Sequence, residues 1–195
     1  MHRLQAYIIM ALIYFVIFFI LYLPILFILK WRGIGFIRQF SFIALFWSGF
    51  LIIFATILFT WPISFTPEEH RLNLQPFEWL QMPDVRRALF DVVIPNILMF
   101  IPLAYFIPVV FKKMRTFKKT VFAAFCISFS VEFFQYFIGR GTNIDDLITN
   151  TIGAVIGYAF YKISDKLLHN TCCWKWFTGD NLHNANNLYC TEKLS

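Results

Sequence analysis

Charge is what this sequence has least of: its 195 residues carry 17 Lys or Arg and 11 Asp or Glu. A water-soluble domain draws about a quarter of its residues from those four types, so an ordinary solvated surface is missing. Alternating segments of about ten residues, the signature of barrel strands, are missing too. No small-residue cleavage site follows the first apolar run, which argues against a removable secretion signal and leaves that run as a retained helix. No internal repeat is present to support a transporter built from inverted halves. No nucleophile is evident.

What the chain has is apolar length. Hydrophobic residues make up 59% of it, with 26 Phe, more than one soluble core of this size can hide. A helix rises about 1.5 Å per residue and needs about 20 apolar residues to cross a hydrocarbon core of about 30 Å. Five runs qualify: Tyr7 to Leu29, Phe42 to Trp61, Val92 to Phe111, Thr120 to Ile138, and the shorter Leu147 to Ile163. The expected fold is an all-α, polytopic membrane bundle of about five transmembrane helices. Two N-terminal helices fill 1–68, a three-helix region fills 69–163, and a tail fills 164–195.

Cytoplasmic loops are enriched in Lys and Arg. Lys30, Arg32 and Arg38 lie between the first two runs, and Lys112, Lys113, Arg115, Lys118 and Lys119 between the third and fourth. This places the N-terminus outside and the C-terminal tail in the cytoplasm. The net charge of +6 is then a matter of topology, and no nucleic-acid partner is implied. The tail is expected to be loosely ordered or to lie on the membrane surface. Its Cys172, Cys173 and Cys190 lack the Cys-x-x-Cys spacing of a zinc site. Facing a reducing cytosol, they are expected to remain free of disulfides. No metal or cofactor is expected.

Several polar residues do not belong in lipid. Ser128, Glu132 and Gln135 recur at spacings of four and three, which puts them on one helical face. A carboxylate roughly 10 Å inside the helix end costs about 3 kcal/mol to insert and marks a pathway, a relay or a buried pair. In the fifth run Asp146, Asn150, Gly153 and Gly157 share one face as well, the glycines permitting close helix approach. Asp145 and Asp146 also fit a helix start. Asn96 follows Pro95 near the outer end of the third run, with Pro102 and Pro108 predicting a kink. Residues 84–90 have the pattern of a short helix lying at the outer interface.

Four segments together resemble the VanZ-like family of membrane proteins. They are Arg71-Leu72-Asn73-Leu74-Gln75-Pro76-Phe77, Asn96 to Leu103, Glu132 with Gln135, and Arg140 followed by Asn143 to Gly153. The resemblance covers about Glu69 to Tyr161, departs from the family at Ala104, where Gly is common, and finds no counterpart for the tail. It implies a role at the cell envelope of Gram-positive bacteria and, for the family's namesake, lowered sensitivity to the glycopeptide antibiotic teicoplanin.

The expected site is an outer-face polar cleft that binds or modifies a membrane lipid, a lipid-linked cell-wall precursor or a related ligand. Glu132, Asp145 and Asp146 are the candidate acid/base groups. Arg71, Asn73, Asn96, Ser128, Gln135, Arg140 and Asn150 are the candidate binding groups, the arginines suiting a phosphate or carboxylate. Two alternatives stand beside this reading: a small transporter or proton-coupled protein using Glu132, and a non-enzymatic helical partner of envelope enzymes for which the polar seam is glue.

Overall fold

The computed structural model describes residues 2–60, 72–137 and 141–180, with side chains placed from residue 13 onward and only to 56 in the first stretch. Arg71 and Arg140 lie outside the described residues. The chain is an all-α bundle. Four of its helical stretches are long and apolar enough to cross a membrane: Ile13–Trp31, Phe36–Thr56, Val85–Val110 and Phe117–Phe137.

Helix α1 (His2–Trp31) turns into α2 (Phe36–Thr60) through Gly33 at φ 67°. The amides of Gly33 and Ile34 return to the carbonyls of Lys30 and Leu29, and this helix-ending motif needs a left-handed residue, which glycine supplies without strain. The hairpin is held by rings. Tyr14 lies 4.2 Å from Phe54 and Phe18 lies 4.5 Å from Trp47, centroid to centroid. Such aromatic pairs contribute about 0.5–1.5 kcal/mol each beyond their buried area.

Between α2 and the third span, β1 (Leu72–Asn73) pairs in parallel with β2 (Thr142–Asn143), in the register Leu72 to Thr142 and Asn73 to Asn143. Residues 84–90 do not form a separate interfacial helix. Asp84 caps α3 (Val85–Ala88) by accepting the Arg87 amide, and the chain runs on through a π-helical turn, Leu89–Val93, into α4 (Ile94–Val110). The expectation failed because the charged pair Arg86 and Arg87 reads equally well as the exposed first turn of a span; the Arg87 guanidinium meets Asp91 at 3.2 Å on the surface.

After α5 (Phe117–Phe137) comes α6 (Ile144–Leu168). Its 25 residues match α2 in length, but it is not among the long apolar stretches. It nevertheless runs parallel to α4 for the height of the bundle. Asn96 meets Asp146 at one end and the Tyr105 hydroxyl meets Ser164 at the other. Between them Gly153 and Gly157 press on the carbonyls of Ile97 and Ile101, so closely that a Cβ on either glycine would collide with backbone. Small residues at such a seam let two backbones approach, which is how packing rather than hydrophobicity joins helices in lipid. The apolar core lies beside it, with Ile52, Phe100, Leu103, Ile107, Ala124 and Ala154.

The first part of the tail is ordered, contrary to expectation. Helix α7 (Cys172–Thr178), capped by Thr171, buries Trp174 against Val109 and Tyr161. Its polar composition hid Trp174 and Phe177, three residues apart and so on the one face that covers the neighbouring helices. Arg38 fastens this end: it is buried and donates to the carbonyls of Val109, Val110 and Phe177. These carbonyls belong to the C-terminal turns of α4 and α7, where unpaired oxygens and the helix dipole favour a cation. Cys172 is disulfide-bonded, so the expectation of a tail without disulfides fails there. The compartment argument behind it said nothing about which thiols the chain geometry brings together. Cys126 and Cys173 are free.

Candidate functional site

The burial pattern along α5 separates two faces. Ser128, Glu132 and Gln135 are 0%, 5% and 4% exposed, whereas Phe129, Phe133, Phe134 and Phe137 lie open on the other side. The helical period alone produces this division. From α6, the buried Asp146 and Asn150 face the same interior. Asn150 Nδ2 donates to Ser128 Oγ at 2.9 Å, tying α6 to α5. Asn96 Nδ2 donates to Asp146 Oδ1 at 2.7 Å, tying α4 to α6.

Asn96, Glu132, Asp146 and Asn150 wall a chamber of about 330 Å³ between α2, α4, α5 and α6, lined also by Thr56, Asp91 and Gln135 among apolar side chains such as Met99 and Phe100. The π-helical turn borders it, with Ile94 donating to the carbonyl of Leu89 five residues back. Pro95 has no amide hydrogen to offer the carbonyl four residues before it. Wide turns of this kind recur at functional sites. One polar atom in the wall has no hydrogen-bond partner among the described residues: Asn150 Oδ1. Leaving a buried acceptor unmet costs about 1–3 kcal/mol.

A second hollow, about 370 Å³ and apolar, lies on the lipid-facing side of α5, between Leu72, Leu74, Phe129, Phe133 and Leu147. Glu132 lines both hollows. Its carbonyl accepts the Thr142 hydroxyl at 3.0 Å, and its Oε2 takes the Asn143 amide at 3.4 Å. A partner from the chain entering α6 therefore contributes to holding this carboxylate, one of the solutions the sequence left open.

Asp145 is engaged differently. Its two carboxylate oxygens accept the backbone amides of Phe77 and Glu78, the latter at 3.0 Å. Phe77 has φ 62°, a left-handed conformation that costs a non-glycine residue about 1–3 kcal/mol and persists only where its surroundings hold it. Asn73 donates its side-chain amide to Glu78 and accepts the amide of Gln75 at 3.0 Å. Asn143, rather than either Asp, caps α6 by accepting the Asp145 amide at 3.0 Å. Asp145 and Asn73 thus hold a strap, residues 72–81, over the start of α6. The chamber itself gathers Asn96, Glu132, Gln135, Asp146 and Asn150.

Sequence reasoning missed Thr56 and Asp91 in the chamber wall and Thr142 and Thr149 at the α6 entry. Thr149 donates to the carbonyls of Asp145 and Asp146 at 2.8 and 3.1 Å, and its position four residues after Asp145 was the available signal. Among the described residues no group of three or more His, Cys, Asp or Glu is placed to hold a metal ion.

No solved structure matches the chain. Protein VanZ of Enterococcus faecium is 32% identical over 103 residues, covering 52% of this chain and 59% of that protein. The chain therefore covers less than two thirds of that relative's length. The VanZ/LLP1 family model matches residues 40–165, well over half of the chain. That stretch runs from the first turns of α2 to near the end of α6 and holds every residue of both hollows, and the chain belongs to the VanZ/LLP1 family.

Proposed function

We propose that this VanZ-family chain is a multi-pass protein of the bacterial cell membrane whose chamber, at the outer end of the bundle, binds the polar part of a lipid-linked or cell-wall-related ligand and thereby lowers glycopeptide susceptibility, teicoplanin included. The observation that carries the reading is convergence. Asn96, Glu132, Gln135, Asp146 and Asn150 come from three different helices to one cavity, and each is costly to place in lipid. The volume is at the lower end of the roughly 300–1,000 Å³ of small-molecule sites. In this reading Glu132 and Asp146 touch the ligand, while Asp145 positions the strap. The arginines at 71 and 140 supply anion contacts.

A transport path finds less support. Beneath the chamber Leu103 and Ile107 pack the core, and the buried hydroxyls of Ser48, Ser41 and Thr120 are each taken up by a backbone carbonyl. A scaffold role among envelope proteins is favoured by one observation, that Asn96 with Asp146 and Asn150 with Ser128 already join helices. The experiment compares Glu132→Gln and Asn96→Ala in cells whose glycopeptide tolerance depends on the protein. The ligand reading expects tolerance to fall while membrane protein level stays within about twofold. Unchanged tolerance at unchanged level refutes it, and loss of protein level together with tolerance transfers the residues to the scaffold role.

A further inference from the structure

Resting on the ligand reading above, we infer that the ligand is an amphiphile that enters sideways from the bilayer, its chain lying in the apolar groove beside α5 and its hydrogen-bond-donating head reaching Asn150 in the chamber. Two independent observations meet here. First, the groove is built from side chains that a membrane protein turns toward lipid: Phe129, Phe133 and Leu74 are about half exposed or more. Within a bilayer such a groove is filled by hydrocarbon, since water there would leave apolar surface wet. Secondly, the chamber presents a buried acceptor, Asn150 Oδ1, that no described residue satisfies. An acceptor of this kind calls for a hydroxyl or N–H donor.

The two hollows share one wall residue, Glu132. A molecule with an apolar chain and a small hydroxylated or amino head spans both with its junction at that carboxylate. A free head group from water fits only the chamber and leaves the groove unexplained. A simple hydrocarbon fits only the groove. The chamber volume admits a head about the size of one sugar ring rather than a folded peptide. Leu72 and Leu74 of the strap, with Thr142 and Asn143 of its parallel partner, roof the groove, so the strap that Asp145 fixes is also what bounds the chain subsite.

The test uses full-length protein in phosphatidylcholine vesicles and, as probe, an alkyl glucoside carrying a photoactivatable diazirine in its chain. The expected result is saturable labelling of peptides containing Phe129, Phe133 and Leu147. Leu147→Trp, which fills the groove, removes it. Asn150→Leu raises the half-saturating concentration by roughly three- to tenfold, the range of one lost hydrogen bond. Asn150→Asp, which keeps an acceptor oxygen, retains labelling. Melting temperatures of the variants separate loss of the site from loss of the fold.

Labelling that does not saturate and spreads equally to α1 overturns the inference, as does competition by free glucose at the same concentration as by the unlabelled alkyl glucoside. Saturable labelling combined with unaltered glycopeptide tolerance in Glu132→Gln leaves the amphiphile site standing and removes the proposed function. Altered tolerance with unsaturable labelling does the reverse.

Discussion

Replacing Asp145 separates a positioning role from a chemical one. The carboxylate is 3% exposed and both of its oxygens accept backbone amides, from Phe77 and Glu78. Hydrogen bonds to a charged group contribute about 1.5–3 kcal/mol each, so Asp145→Ala is expected to release roughly 3–6 kcal/mol of local stabilisation from the strap. Asp145→Asn keeps one acceptor oxygen and loses roughly half of that. Without the clamp, Phe77 has no reason to remain at positive φ and relaxes to the extended region. Hydrogen–deuterium exchange in nanodiscs reads this directly. A loss of about 3 kcal/mol corresponds to exchange at residues 77 and 78 faster by roughly a hundredfold, since 1.4 kcal/mol is tenfold. Peptides from α7, at the far end of the bundle, should exchange as before. If the alanine variant leaves the amides of Phe77 and Glu78 as protected as in the wild type, the clamp is not what holds the strap.

Three further outcomes follow from the packing and the charges. Gly153→Ala and Gly157→Ala push a methyl group into the carbonyls of Ile97 and Ile101, and each should lower stability by about 1–3 kcal/mol, as overpacking does; thermal melts in detergent check this, and unchanged midpoints would show that the seam is loose. Arg38→Lys keeps the charge but not the planar fork that reaches three carbonyls, so α7 should become accessible to limited proteolysis while the Asp146 end of the bundle retains its exchange protection. Burial pushes the carboxyl of Asp180 up, but hydrogen bonds from Arg115, Thr178 and Lys112 outweigh it and hold it below its usual 3.8. A carboxyl lowered in the folded state stabilises it fully above the unfolded value and loses that contribution as pH falls through the lowered one. Acidification below about pH 4 should therefore loosen α7, read by Trp174 fluorescence, and Asp180→Asn should remove the acid transition.

The spans, the polar face of α5 and the glycine seam of α6 were legible because each is a repeat along one helix. Spacings of three and four on a single element survive any tertiary arrangement. The contacts that join distant segments were not legible in the same way. Asp145 looked like a helix-start carboxylate because its true partners stand 67 and 68 residues earlier, and nothing local in the sequence records them. Arg38 looked like a basic flank because the positive-inside tendency is the same whether the guanidinium meets water or three carbonyls. The π-helical turn before Pro95 had no signal beyond the proline itself. In α7, seven residues are too few for a period to stand out from the polar tail around them.

The Arg38 anchor also decides how the bundle can move. At that end, α2, α4 and α7 are bound through one guanidinium to the carbonyls of Val109, Val110 and Phe177, and Arg115 adds a second tie from the α5 side to Thr178 and Asp180. At the other end the joints include side-chain hydrogen bonds such as Asn96 to Asp146 and Asn150 to Ser128 and the strap of residues 72–81 that Asp145 holds. A bundle fastened in this way behaves as tweezers do, with the glycine contacts of α4 and α6 between the closed end and the tips. Any opening wide enough to admit a chain from the bilayer therefore swings α5 and the start of α6 apart at the Glu132 level while the α7 end stays still, and distances measured between labels should change at the tips alone.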